Sequence, residues 1–451
     1  MSHLISLFLT LFLVTSCSSS KSEVIKVDKF EKVEAKSTSE FLNSLGVVSS
    51  VSRRGETVDG TIKCIEYTGI RWIRAGYEGD IPLDDLIQVN DKTEVKYSYG
   101  LLSGGNDIPR LIEGAKQLAK AGSLLAVEGP NEPNNWGINY LGESGGAQKS
   151  WIPVAKLQRN LYSAVKNEPL LAEIPVWSLS ENGAQTDNTG LQFLTVPEGA
   201  NTLMPAGTKY ADFANCHNYI CHPSWPGLHD NQAWLSSGPD KNVPVDGLFG
   251  NYGTTWRNKF QGYSEEQLKS LPRVTTETGI AVGTDNVITE DLQGRLFLDL
   301  YLSQFKRGWK YTAIYLLKGR ADEPAHETYA FYKLDYTPKK AAEYLHNFTS
   351  VLADNHEDND PAGSLEYSLS DDFPTVHDLL LQNSNGIFQL IIWGEKFTGP
   401  AETISVNFGK KHSEILVFDP ITGTAPIEKL RNKNSVSLTV GDHPLILQIS
   451  R

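Results

Sequence analysis

SLLAVEGPNEPN, residues 123–134, decides how the rest of the chain is read. Its first half is apolar without alternation, as expected for a strand covered on both faces in a parallel sheet. Its second half ends in two Glu, two Asn and two Pro. A buried strand that finishes in acids and amides has delivered them to the edge of the sheet, where a cleft opens and Pro133 turns the chain away.

Seven other runs share this character. They are LGVVSSV (45–51), IRWIRAGY (70–77), VKYSYGLL (95–102), IPVWSLS (174–180), ADFANCHNY (211–219), RVTTETGI (273–280) and YTAIYLLKG (311–319). Helical patterns fill most of the gaps. Asp107 caps a helix whose Ile108, Leu111, Ile112, Ala115, Leu118 and Ala119 recur at helical spacing, and Gly122 stops it. LQGRLFLDLYLSQFKRG predicts a helix ending at Gly308, and Thr337-Pro338 predicts the start of another, through Leu352. Eight strand–helix units over about 300 residues predict a (β/α)8 TIM barrel. The competing open doubly wound sheet would carry a Gly-rich phosphate loop after its first strand, and SSVSRRGE is not one. DNHEDNDPAG (354–363) reads as a domain break, without the spacing of a calcium loop. Beyond it, short β runs predict a small C-terminal antiparallel β-sandwich. The expected organisation is a signal peptide over 1–17, a tether over 18–43, a catalytic barrel over 44–353 and a sandwich over 361–451.

The chain has 451 residues, 40% hydrophobic and 21% charged, with a formal charge of −13. An acidic surface argues against nucleic acid as the main partner, because phosphate binding needs a Lys/Arg excess. Leu4 to Val14 is an apolar run of signal-peptide length ending in Val-Thr-Ser-Cys17, which resembles a bacterial lipoprotein signal. That resemblance implies lipidation of Cys17 and a place in the cell envelope, periplasmic or surface-exposed, with the membrane reached only through the lipid. An ordinary secretory signal is the alternative. CHNYICH (216–222) could be read as a metal site, a haem attachment or a Cys216–Cys221 disulfide. Four residues separate the cysteines, where haem attachment has two, and a strand end with small apolar residues is the preferred reading.

A barrel carries its chemistry at the C-terminal ends of its strands. There the runs offer Arg74 and Tyr77, Asn131 and Glu132, His217 and Tyr219, Glu277, and Tyr315 and Lys318. The fourth and seventh strands of such a barrel lie nearly opposite, so Glu132 and Glu277 can face one cleft. Two carboxylates across a cleft suit glycosidic cleavage, one protonating the leaving oxygen and one attacking the anomeric carbon.

Asn-Glu-Pro (131–133) at the end of the fourth run, with TTETG (275–279) at the seventh, resembles clan A of the retaining glycoside hydrolases, in particular families 39, 79 and 5. The resemblance covers about 44–352, and the β-rich tail is similar to the sandwich that follows the barrel in several families of this clan. It implies that Glu132 is the general acid/base and Glu277 the nucleophile. It also implies that Asn131 bonds the sugar 2-hydroxyl, that Arg74 holds the nucleophile ionised and that Tyr219 donates to it. His217 would face the same cleft, and Glu128 would pack beneath it. Many clan members carry a Trp at the end of strand eight. AIYLLKGRADE has none, so Tyr315 or Lys318 would serve there. Trp225, Trp234 and Trp256 are candidate sugar platforms, with Trp256 favoured. The implied activity is retaining hydrolysis of β-glycosidic bonds in polysaccharides or oligosaccharides, without metal or organic cofactor. A non-catalytic carbohydrate-binding lipoprotein and a transglycosidase on the same barrel are the alternatives.

Overall fold

The computed structural model describes residues 30–76, 79, 81–133, 135–146, 152–180, 209–220, 228–237, 272–283, 287–354, 363–370 and 372–450. The described chain begins with β1 (Glu31–Glu34), β2 (Lys36–Ser37) and α1 (Thr38–Asn43). It then alternates through β3 (Leu45–Val48), α2 (Val58–Thr68), β4 (Trp72–Ala75), α3 (Leu83–Thr93), β5 (Lys96–Gly100), α4 (Ile108–Lys120) and β6 (Leu124–Glu128). A hairpin of β7 (Ile138–Tyr140) and β8 (Glu143–Gly145) precedes α5 (Ile152–Asn167), β9 (Val176–Trp177), β10 (Ala214–Asn215) and α6 (Gln232–Ser236). β11 (Arg273–Thr278), α7 (Glu290–Lys306), β12 (Trp309–Ile314) and α8 (Lys340–Leu352) complete the alternation.

Each of the eight apolar runs contributes one strand to a parallel sheet ordered β10-β11-β12-β3-β4-β5-β6-β9. The Trp177–Phe213 bridge and the Asp212 N to Val176 O bond (2.7 Å) join its two ends, which makes it a (β/α)8 barrel. Residues two apart on a strand face the same side, so the interior is layered. The lower layer is apolar: Trp72, Ala126, Trp177 and Val274 cluster there, with the Trp72 and Trp177 rings edge to face at 5.4 Å. Two residues further along their strands, Arg74, Glu128 and Thr276 form a polar layer directly above it.

The last six strands are β13 (Ser364–Leu369), β14 (Val376–Gln382), β15 (Phe388–Gly394), β16 (Glu402–Phe418), β17 (Pro426–Val440) and β18 (Pro444–Ile449). They enclose a second apolar core built from Leu365, Leu390, Val406, Val417, Leu438 and Leu447 among others. β16 pairs with β17 along its length, with an irregularity between Asn407 and His412, and on its other edge with β13 through Val406–Phe408 and with β18 through Ile415–Phe418. One long strand thus joins β13 and β18 in a single sheet.

Two expectations are corrected. The tether over 18–43 is structured from Glu31 onward. β1 pairs with β13 and β2 with β14, so the N-terminal segment completes the C-terminal β domain. Alternation in EKVEAKS explains this, because Val33 and Ala35 turn toward the second core. The last helix starts at Lys340, not at Thr337-Pro338. Pro338 bridges Tyr332 and Lys339 N donates to Phe331 O (2.9 Å), so residues 338–339 are drawn into extended pairing first.

Candidate active site

Arg74, at the end of β4, is fully buried and lies at the centre of the polar layer. Its Nε donates to both oxygens of Glu128 (3.1 and 3.0 Å), and its Nη2 donates to Glu128 Oε1 (2.6 Å) and Asn131 Oδ1 (2.7 Å). Its Nη1 reaches across the barrel to Glu277 Oε1 at 2.5 Å. The other oxygen of Glu277 accepts from the Tyr219 hydroxyl at 2.9 Å. Burial, and then the charge of Glu277, push the Tyr219 hydroxyl well above the usual range, so it stays a neutral donor.

Glu132 leaves the barrel strand with φ of +39°, a left-handed conformation uncommon for a non-glycine residue. Its carbonyl accepts from Asn135 N and Trp136 N (both 2.8 Å), and its own N–H donates to Ser180 Oγ (3.3 Å). That tight turn holds its carboxyl over the cleft. Asn135 Nδ2 donates to Oε2 at 2.9 Å, and Oε1 lies 2.6 Å from His217 Nδ1. Burial pushes the Glu132 carboxyl up, but the hydrogen bond and charge of His217, the Asn135 bond and the Arg74 charge outweigh it. Together they hold it below the usual carboxylate range.

His217 is fixed at its other nitrogen, which lies 3.0 Å from Thr276 Oγ1. With the Thr276 hydroxyl donating to Glu128 Oε1 (2.9 Å), Thr276 accepts from the ring, and the Nε2 proton is committed to it. One further proton then lies between His217 Nδ1 and Glu132 Oε1. Glu132, His217 and Glu277 also offer three ligand atoms within 4.8 Å of one another, the donor types of a metal site. The guanidinium held 2.5 Å from Glu277 opposes a dication there, so the arrangement suits proton transfer better than metal binding.

Arg74, Asn131, Glu132, His217, Tyr219 and Glu277 are therefore brought together. Tyr315 joins from the side, its ring 6.5 Å from that of Tyr219, with its hydroxyl bonded to His326 Nδ1 (2.7 Å) and receiving Arg320 Nη1 (3.0 Å). Lys318 is not in the cluster. Its Nζ donates to Gly319 O (3.3 Å) and lies over the Tyr336 ring (4.8 Å), because Lys318 pairs with Tyr332 and turns its side chain toward α2. Trp234 is no sugar platform: it is stacked between His377 (4.0 Å) and Arg307 (4.8 Å), against the β domain. Trp256, Trp225, Tyr77, Cys221 and Cys17 lie outside the described residues. The sequence did not single out Ser98, Asn215 and Thr276, all bonded to Glu128, nor Asn135 and Ser103, bonded to Glu132 and Asn131. Their one signal was alternation, which turns Thr276 inward two residues beyond Val274.

No protein-family model matches the sequence, and no curated protein matches it. Solved structures do match in fold. A family 39 glycoside hydrolase from Bacteroides cellulosilyticus WH2 superposes with a TM-score of 0.57 at 15% identity, over 92% of this chain and 82% of that one. A 4-O-α-L-rhamnosyl-β-D-glucuronidase from Fusarium oxysporum 12S gives 0.55 at 13% identity, over 93% and 100%. A monomeric β-xylosidase from Caulobacter crescentus CB15 gives 0.53 at 12% identity, over 93% and 97%. The chain shares with them a barrel and an attached β domain.

Proposed function

We propose that the protein is a retaining β-glycoside hydrolase acting on polysaccharides or oligosaccharides. The observation that carries this reading is the pair of opposed carboxyl groups, with an oxygen of Glu132 and an oxygen of Glu277 within 4.8 Å of each other. Retaining enzymes hold their carboxyls ~5–5.5 Å apart, while inverting ones leave ~6.5–9.5 Å for a water. The glycoside hydrolases that share the fold support the same reaction class.

In the first step a Glu277 oxygen bonds to the anomeric carbon as the glycosidic C–O bond breaks. The leaving oxygen takes the proton from Glu132. In the second step Glu132 removes a proton from water, the water oxygen bonds to the anomeric carbon, and the ester to Glu277 breaks. The Glu132–His217 pair carries the transferred proton whichever of the two atoms holds it at rest, so the pair is the acid. Arg74 and Tyr219 keep Glu277 ionised and aimed. Asn131, tied to Arg74 and Ser103, is placed for the sugar 2-hydroxyl. Lipidation of Cys17 would hold the enzyme in the cell envelope, and Cys17→Ser would then release it to the soluble fraction.

The test uses a panel of nitrophenyl β-glycosides (glucoside, xyloside, galactoside, mannoside and glucuronide). Glu277→Ala and Glu132→Ala should each lower kcat by at least ~10²-fold on whichever substrate the wild type cleaves. A 2-deoxy-2-fluoro glycoside of that sugar should label Glu277 covalently. Cleavage that persists in Glu277→Ala, or a label on another residue, would remove the assignment.

A further inference from the structure

Glu128 is the third carboxylate of the site, and the chemistry just described does not use it. It cannot be an acid, because it is 1% exposed and both oxygens already accept. Its donors come from four strands: Arg74 from β4, Ser98 Oγ from β5 (2.8 Å), Asn215 Nδ2 from β10 (3.4 Å) and Thr276 Oγ1 from β11 (2.9 Å). We propose that Glu128 is a positioning residue that takes up the charge and one edge of the Arg74 guanidinium, so that Glu277 is aimed by Arg74 without being neutralised by it. The inference rests on the retaining-hydrolase reading.

Two arguments carry it, one of geometry and one of charge. A guanidinium is a rigid planar fork. With Nε and Nη2 engaged on Glu128, Nη1 is left directed at Glu277, where it makes the 2.5 Å contact. The direction in which the nucleophile is held is thus set from the opposite side of the Arg. As to charge, a buried Arg paired with Glu277 alone would form a neutral ion pair and tie up the attacking lone pairs. With Glu128 present, Glu128 and Arg74 cancel. The Glu132–His217 pair, holding one shared proton, is neutral. One net negative charge, on Glu277, then faces the oxocarbenium-like transition state, and burial keeps water from screening it.

The experiment compares wild type, Glu128→Gln, Glu128→Asp, Arg74→Gln and the double variant Arg74→Gln/Glu128→Gln, as full chains, on the nitrophenyl glycoside that the wild type cleaves best. Glu128→Gln keeps the shape and removes the charge, and should lower kcat by about 100-fold with little change in KM. Glu128→Asp keeps the charge but withdraws it, and should also lower kcat. It also carries the test if the Gln variant does not fold. The double variant should be no slower than Arg74→Gln, since Glu128 acts through Arg74. Losses that multiply in the double variant, or a loss confined to KM, would each overturn the proposal. A wild type that cleaves nothing in the panel would sink the hydrolase reading itself, whereas an active wild type with indifferent Glu128 variants would sink only this inference.

Discussion

His217 sets the pH at which Glu132 can act as an acid. Its hydrogen bond and charge offset the burial that would otherwise push the Glu132 carboxyl up. In His217→Phe both are lost, together with the second site of the shared proton. The expected outcome is a fall in kcat of about 10–100-fold, because the acid is no longer aimed. Initial rates on the nitrophenyl glycoside would show it, and an unchanged rate would contradict the role given to His217. Much of this cluster was legible in the sequence, because acids, amides and an Arg at the ends of apolar runs have few structural reasons to be there. Ser98, Asn215 and Thr276 were not, since a short polar side chain within a strand looks the same whether it faces a carboxylate or a neighbouring backbone.

At the scale of elements, the barrel wall depends on close approaches that only glycine allows. A Cβ on Gly46 in β3 would lie 2.0 Å from the Trp72 indole. The ring cannot retreat, since its Nε1 donates to Ser44 O (3.0 Å) and its edge packs on Trp177 (5.4 Å). Gly46→Ala should therefore destabilise the fold by about 1–3 kcal/mol, read as a lower urea midpoint at unchanged slope. An unchanged midpoint would mean that the β3–β4 contact is looser than these distances. The eight barrel strands were readable for the same reason that they tolerate so little: buried on both faces, they cannot alternate. β1 and β2 were missed because the partners that order them lie at the far end of the chain, and the sequence before them is rich in Ser, Lys and Glu. The start of α8 was missed because Thr337-Pro338 is a sound local cap, overridden by pairing with Phe331 and Tyr332.

On the scale of the whole molecule, barrel and β domain meet along α7, and the junction is polar at its centre. Glu395, directly after β15, is fully buried. It accepts from Ser303 Oγ of α7 (2.8 Å), Trp234 N of α6 (3.0 Å) and Trp393 Nε1 (3.3 Å). Burial pushes its carboxyl up to about 7 even against those bonds. One turn before Ser303, Asp299 is also buried, with neither carboxylate oxygen bonded among the described residues. Burial, and then the charges of Glu395 and Asp442, push it well above the usual range. His377, stacked on Trp234, is pushed down to about 3 by burial and by Arg307 and Lys306, so it brings no compensating charge near neutrality. The sign follows from these directions. The folded state holds the Glu395 proton more tightly than the unfolded chain does, so its contribution is complete below the ordinary Glu value and is lost as pH rises to about 7. The loss amounts to about 3 kcal/mol over that window. Asp299 adds to it in the same direction. Glu395→Gln removes its own titration while keeping the shape and leaves that of Asp299, so its melting temperature should fall less between pH 5 and 8 than that of the wild type. The variant should be the more stable protein at pH 8. Parallel curves for the two proteins in a pH series of thermal melts would show that the junction relaxes or admits water instead of holding these carboxyls protonated.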